Sequence, residues 1–255
     1  MLELDRIYNI DCLIGMRDIP DKSVDAIICD LPYGTTACSW DTIIPFDKLW
    51  EQYKRIAKPK APIVLFGSEP FSSLLRASNI HSYRYDWVWE KGVGVNFLQA
   101  KRQPMKNFEN IVVFGFESPN YYPQMTKRGT PLKKSKNSNN GGEVMGDIRG
   151  QKAKGFNGKT YEYKYPEAVL HFNSRKNKDK FAFHPTQKPI DLIRYLVRTY
   201  SNEGDTILDN CMGSGTTAIA CIREHRHFIG FELNEDYYEK ACKRIAAEMA
   251  QPTLF

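Results

Sequence analysis

Thr206-Ile207-Leu208-Asp209-Asn210-Cys211-Met212-Gly213-Ser214-Gly215-Thr216-Thr217-Ala218-Ile219-Ala220 is the stretch on which the fold turns. An apolar run ends in an acid, a glycine-interrupted turn follows, and a helix of small residues begins. Without side chains, Gly213 and Gly215 let a ligand approach the backbone closely, as in nucleotide-type cofactor loops. A lone G-x-G is a weak signal, because many strand–helix turns carry glycine. The surroundings strengthen it. The next apolar run, Phe228–Glu232, ends in Glu232, 17 residues beyond Gly215. A carboxylate at that strand tip is placed to take ribose hydroxyls.

A second motif stands near the start. Asp30-Leu31-Pro32-Tyr33 follows the apolar residues Val24, Ala26, Ile27 and Ile28. A strand end of this composition presents a carboxylate, a carbonyl and a flat ring, which together can hold a planar amine. An exocyclic base amine is a poor nucleophile because its lone pair is delocalised into the ring. Acceptors on its two hydrogens, the Asp30 carboxylate and the Leu31 carbonyl, favour a pyramidal nitrogen and stabilise the charge that develops on it. Tyr33 offers a face to a base taken out of the stack, and Pro32 stiffens the turn. The structural alternative is an ordinary Asp-x-Pro turn.

In this order the two motifs resemble the amino-group DNA methyltransferases of the permuted arrangement called the beta group, where the catalytic tetrapeptide precedes the cofactor glycines. The resemblance implies S-adenosylmethionine as cofactor. Asp209 would receive its ammonium group, and Asn210, Gly213, Ser214, Gly215 and Thr216 would form the loop around it. Glu232 would reach the ribose, Asp11 with adjacent Cys12 the adenine amino group, and Leu233 and Asp30 would border the same pocket. A lone Asp at a strand end is ordinarily a helix cap, which is the competing reading of Asp11. His184-Pro185-Thr186-Gln187-Lys188-Pro189 also resembles the family, where it contributes to the pocket near the methionine moiety, so His184, Thr186 and Lys188 join the candidates. Two departures stand out. Leu31 replaces the usual Pro, which leaves the backbone carbonyl in place; Asn210-Cys211 replaces Pro-Phe, which changes packing against the cofactor.

The alternation of strands and helices implies an α/β fold with a mainly parallel sheet and helices on both faces. Strands are expected at Arg6–Ile10, Val24–Cys29, Ile63–Phe66, Tyr85–Trp89, Asn110–Phe114, Thr206–Asp209 and Phe228–Glu232. Helices are expected at Pro45–Ala57, Phe71–Ala77, Pro189–Tyr200, Thr216–Glu224 and Glu235–Ala250. The first strand, ending at Asp11, completes the cofactor half, so a Rossmann-like methyltransferase sheet would be circularly permuted and built from both termini. The organisation expected is a catalytic half over residues 1–116, a target-recognition insertion over 117–180, and the cofactor-binding half over 181–255.

The net charge of +6 is uneven: Lys127 to Lys180 holds 14 Lys/Arg against 5 Asp/Glu, a local +9 that leaves about −3 elsewhere. Basic residues there alternate with Phe156, Tyr161, Tyr163, Tyr165 and Phe172. A solvated loop is the plain reading. A nucleic-acid surface is the functional one, since Lys and Arg neutralise phosphates, with Lys133, Lys134, Lys136, Lys152 and Lys154 as candidate contacts. Thr35 and Trp40, directly after the catalytic turn, are further candidates, although Trp40 equally suits a core. Six cysteines without a C-x-x-C pair read as buried free thiols, and five scattered histidines lack zinc spacing, so no metal is expected. Neither a signal peptide nor an apolar stretch near 20 residues is present, and a cytoplasmic protein without a membrane partner is expected.

The leading expectation is methyl transfer to adenine N6 in double-stranded DNA, because cytosine-N4 relatives more often carry Ser at the first tetrapeptide position. Cytosine-N4 transfer is the nearest alternative. An RNA or protein-amide methyltransferase and a catalytically silent DNA-binding module stand further off. Family resemblance also implies a homodimer.

Overall fold

The computed structural model describes residues 2–34, 41–133, 160–173 and 187–250. They form two compact units, one of residues 1–122 and 168–255, the other of residues 123–167. In the larger unit β1 (Arg6–Tyr8), β2 (Ala26–Cys29), β3 (Ile63–Gly67), β4 (Tyr83–Val95), β5 (Lys106–Phe114), β8 (Val169–His171), β9 (Thr206–Asp209) and β10 (His227–Phe231) make one eight-stranded sheet. Its order is β1-β10-β9-β2-β3-β5-β4-β8. The first five are parallel; β5 runs against both β3 and β4. The smaller unit holds the antiparallel pair β6 (Thr126–Lys133) and β7 (Thr160–Lys164).

Side-chain alternation explains why the sheet is covered twice. Ala26, Ile28, Val64, Phe66, Ile111, Val113, Ile207 and Phe228 fall in one buried cluster with residues of α4 (Ile190–Tyr200), α5 (Thr216–Arg223) and α6 (Glu235–Met249). Their neighbours Ile27, Cys29, Ile63, Leu65, Val112, Phe114, Leu208 and Ile229 fall in the other, with α1 (Cys12–Gly15), α2 (Phe46–Ile56) and α3 (Phe71–Ser78). Strands apolar on both faces are what a parallel sheet between helix layers requires. Each helix turns a stripe inward, such as Leu49, Trp50, Tyr53 and Ile56 of α2.

The permuted topology is present. β9 and β10 come late in the chain, yet β9 pairs with β2, and β1 pairs with β10 (Ile7 opposite Gly230). Both termini therefore feed one half of the sheet. Two elements exceed what periodicity suggests. β4 and β5 form a hairpin longer than the expected Tyr85–Trp89 and Asn110–Phe114, because its outer residues mix glycine, charge and exposed apolar groups and lose the alternation. The irregular stretch expected from Glu117 to Lys180 contains β6, β7 and β8, and β8 joins the main sheet beside β4.

Candidate active site

The carboxyl ends of β2 and β9 lie side by side, and a cavity of about 410 Å³ opens above them. That is ample for a small ligand, and it sits where open α/β sheets place their ligands. Asp30, Leu31, Pro32 and Tyr33 border it from the end of β2. Asp209, Asn210, Gly213, Ser214 and Thr216 border it from the turn after β9. Asp11, Cys12, Glu232, Leu233 and Lys188 complete the wall. The described candidates for catalysis and cofactor binding thus meet in one place, Gly215 excepted.

Gly215 stands behind its neighbours in the turn. It is absent from the cavity wall; a Cβ there would lie 3.4 Å from Ala241 and Ile245 of α6. Its φ of +78° caps α5 in the left-handed region that side chains resist. The residue serves the turn and the packing of α6, while Gly213, at φ +54°, faces the cavity. Arg244, buried in α6, braces the same turn by donating to the Ser214 carbonyl at 2.7 Å and the Thr216 hydroxyl at 3.2 Å.

Two carboxylates of the cofactor half are held by backbone. Glu232 accepts from Gly213 N at 2.7 Å and Asn234 N at 2.8 Å. Burial pushes its pKa up, and these N–H donors oppose that. Asp209, 4% exposed, accepts from Cys211 N at 3.1 Å. Burial raises it to about 6; the Asp30 charge adds to the rise, and donors including Thr217 and Cys29 hold it down. Among the described residues no cation forms an ion pair with it. Asp11 caps α1, accepting from Leu13 N at 2.8 Å and Ile14 N at 3.3 Å, while still bordering the cavity. Its capping and lining roles coexist. Asn210 turns its side chain inward: Tyr53 donates to its Oδ1 at 2.5 Å, and its amide nitrogen lies 3.7 Å from Cys12 Sγ and 3.5 Å from Cys211 Sγ. The unusual Asn210-Cys211 pair is thus a buried packing unit, with the Cys12, Cys29 and Cys211 thiols all pushed up.

At the end of β2 the Tyr33 hydroxyl donates to Asp30 Oδ1 at 2.7 Å, and the Tyr33 ring stacks on Phe71 with centroids 4.9 Å apart. The Lys188 ammonium donates to Asp30 Oδ2 and lies 3.4 Å from Glu109 Oε2. Lys91 pairs with the other Glu109 oxygen. Burial raises the pKa of Asp30; Lys188 opposes the rise and Glu109 adds to it. Burial lowers the affinity of Lys188 for its proton, but Asp30 and Glu109 outweigh that and keep it charged. Glu109 is likewise raised by burial and brought below its usual range by Lys188 and Lys91.

Lys188, expected near the cofactor, therefore spends its charge on the Asp30 carboxylate. Glu109 and Lys91 were not foreseen. The available signal was an acid beside the apolar run Ile111–Phe114, where a charge facing inward needs a partner. Gln187, also on the cavity wall, keeps its Oε1 buried without a hydrogen-bond partner among the described residues. His184, Thr186, Thr35, Trp40, Lys134, Lys136, Lys152 and Lys154 lie outside the described residues, as does the side chain of Lys133. Among the described residues no group of three or more His, Cys, Asp or Glu could hold a metal ion, and no helix is long and apolar enough to cross a membrane.

A family model described as DNA methylase matches residues 24–243. The chain belongs to that family. Among its relatives is the DNA adenine methyltransferase YhdJ of Escherichia coli, 27% identical over 256 residues, covering 95% of this chain and 83% of the relative. Two solved structures share the fold. One is the M1.HpyAVI–SAM complex, with a TM-score of 0.63 at 23% identity, covering 94% of this chain and 98% of that one. The other is the cytosine-N4-specific PvuII DNA methyltransferase, with a TM-score of 0.67 at 15% identity, covering 98% and 87%.

Proposed function

We propose that this DNA methylase transfers a methyl group from S-adenosylmethionine to the N6 amine of an adenine taken out of duplex DNA. The observation that carries the reading is Asp30 at the end of β2, with its carboxylate oriented by Tyr33 and Lys188 over the same cavity that Asp209 and Glu232 border.

The residues present suit the cofactor. Asp209 is a buried acid whose donors among the described residues are neutral, so an ammonium group there removes the cost of its charge. Glu232 stands at the tip of β10 with a carboxylate aimed at the turn, as a ribose partner would. Exposed Leu233 and the wall residues Cys12 and Asp11 belong to the adenine end of this reading. When bound, S-adenosylmethionine supplies a methyl group made electrophilic by its sulfonium.

The chain's own residues prepare the amine. The Asp30 carboxylate accepts one amine hydrogen and the Leu31 carbonyl the other, which frees the nitrogen lone pair and stabilises its developing positive charge. Burial leaves the Asp30 carboxyl raised, and the Lys188 ammonium on its Oδ2 opposes that rise and favours the ionised form. No general base is needed, because the proton can leave after the methyl group has arrived. An acid at Asp30 favours adenine. The fold shared with a cytosine-N4-specific enzyme keeps N4 transfer as the second reading. A homodimer belongs to the same proposal, with light scattering as its check.

The test is plasmid DNA incubated with labelled S-adenosylmethionine and digested to nucleosides. N6-methyladenine is expected from wild type and none from Asp30→Ala, which should still bind the cofactor. N4-methylcytosine would move the chain to the second reading, and the absence of any methylated nucleoside would sink both.

A further inference from the structure

The β4–β5 hairpin reaches beyond the rest of the sheet at the catalytic edge. Gly67, the last residue of β3, pairs with Asn110, which also faces Val88. Residues 89–109 therefore run past the carboxyl end of β3, on the side where β2 delivers Asp30 and β9 delivers Asp209. The base of this projection is tied to the site, since Glu109 holds both Lys91 and Lys188, and Lys188 holds Asp30. The base of the hairpin is thus linked to the Asp30 carboxylate through these ion pairs.

The tip is ordered but turned outward. Asn96 enters the left-handed region, and a short 3-10 turn over Phe97–Gln99 follows. Gln99 N donates to the Asn96 carbonyl at 2.9 Å, Arg102 N to the Gln99 carbonyl at 2.8 Å, and the Gln103 amide to Gln99 Oε1 at 2.6 Å. On this closed scaffold Phe97 is 77% exposed and Leu98 97% exposed. Two large apolar side chains held in solvent by a bonded turn contribute little to folding, and such groups mark interaction sites. Their surroundings select the partner. No acid occurs between Lys91 and Phe108, whereas exposed Lys101 and Arg102 follow the pair closely in the chain.

We infer that Phe97 and Leu98 form a wedge that enters the base stack of duplex DNA beside the target base, with Lys101 and Arg102 seated on the adjoining phosphates. An apolar tip framed by cations fits a polyanion whose interior is a stack of flat rings, and inserted Phe or Leu side chains unstack base steps. The wedge would help open the pair whose amine must reach Asp30, a step with its own energetic cost. The inference rests on the DNA reading above and adds a surface outside the cofactor cavity and outside the 123–167 unit.

Two variants decide it, Phe97→Ala/Leu98→Ala and Lys101→Gln/Arg102→Gln, each first checked for wild-type cofactor affinity and melting temperature. Fluorescence anisotropy with labelled duplex needs no methyl transfer. The charge variant should lower the log–log salt slope by about 2, at roughly 0.9 per phosphate contact, and the apolar variant should bind about tenfold more weakly. Once the modified site of wild type has been mapped on plasmid, transfer is compared on duplexes with the target base paired or mismatched. The apolar variant should lose about tenfold or more in kcat/KM on paired DNA and recover most of it on the mismatch, where opening costs less. Equal loss on both substrates would make the tip a structural element and overturn the wedge. So would unchanged binding and transfer, or a fall in oligomeric mass without any change toward DNA. Wild type that binds duplex yet methylates nothing would remove the transfer reading while the anisotropy arm still decided the tip.

Discussion

Asp209→Asn should stabilise the ligand-free protein and cripple its cofactor binding. The carboxyl lies 4% exposed at the end of β9, and burial lifts its pKa from 3.8 to about 6. A raised carboxyl pKa means that the folded state holds this proton more tightly than the unfolded chain does. Below both values each state is protonated and nothing is lost. As pH rises through the interval the unfolded chain ionises first, so folded stability falls, and the loss is complete above about pH 6. From 3.8 to about 6, at 1.36 kcal/mol per pH unit, the penalty is about 3 kcal/mol. Asparagine carries no such charge and can still accept from Cys211 N, although its NH2 meets donors at Thr217 and Cys29 and forfeits about 1 kcal/mol. The net gain at neutral pH is then about 2 kcal/mol.

Urea unfolding of both proteins across the acid range measures this directly. The advantage of the Asp209→Asn variant over wild type should grow by about 2 kcal/mol between about pH 4.5 and about pH 7.5. Calorimetry with S-adenosylmethionine should find the variant roughly 10- to 100-fold weaker, the worth of a hydrogen bond to a charged group. Wild-type affinity should itself fall below about pH 6, as the carboxylate is lost. A stability difference that is flat with pH would refute the desolvated acid, and unchanged affinity would remove Asp209 from the ammonium site.

Lys188→Met leaves Asp30 and Glu109 facing each other with only Lys91, Tyr33 and the nearby Asp209 around them. The acid limb of kcat should move to higher pH, and stability should drop by about 3–5 kcal/mol, the cost of breaking a buried pair; an unmoved limb would reduce Lys188 to packing. Tyr33→Phe keeps the stack on Phe71 but removes the donor to Asp30, so kcat should fall about tenfold, with a larger loss for Tyr33→Ala. If both variants lose equally, the hydroxyl carries the whole role of Tyr33. Glu232→Ala should weaken S-adenosylmethionine binding in calorimetry and spare duplex affinity; equal cofactor affinity would return Glu232 to holding the Gly213 and Asn234 amides. Neutralising Lys133, Lys134, Lys136, Lys152 and Lys154 should flatten the salt dependence of duplex binding by about one log–log unit per lost phosphate contact, and an unaltered slope would leave that insertion merely solvated.

The parallel core was legible because burial on both faces leaves unbroken apolar runs, as in Ala26–Cys29 and Ile207–Leu208, and those two runs lead into the candidate site residues Asp30 and Asp209. The permutation was legible for a related reason: the strand before Asp11 lacks a partner in its own half, and β10 supplies one. The Lys188–Glu109–Lys91 network was not. Lys91 and Glu109 sit on the paired strands of one hairpin and Lys188 lies far along the chain, and nothing local distinguishes a lysine aimed at a ligand from one aimed at Asp30. Nor does the sequence say which of Gly213 and Gly215 borders the cavity, since both adopt a positive φ. The hairpin tip escaped because exposed Phe97 and Leu98 break the alternation on which strand reading depends.

The two acids of the cavity, Asp30 and Asp209, end neighbouring strands and share one desolvated setting, yet their counter-charges differ. Asp30 holds the Lys188 ammonium and the Tyr33 hydroxyl, whereas Asp209 has a backbone N–H and neutral side-chain donors. A cationic ligand gains most at the acid that lacks a cation, which is Asp209. A neutral amine gains from a carboxylate whose ionised form a fixed ammonium already favours, which is Asp30. The asymmetry thus sorts the two ligands of a methyl transfer without any steric barrier between them, and it sets a direction of coupling. An ammonium group at Asp209 would screen that charge from Asp30, easing the ionisation of the carboxylate that must receive the amine. Cofactor binding should therefore lower the pH at which the catalytic end is ready for its base, an effect that Asp209→Asn would remove.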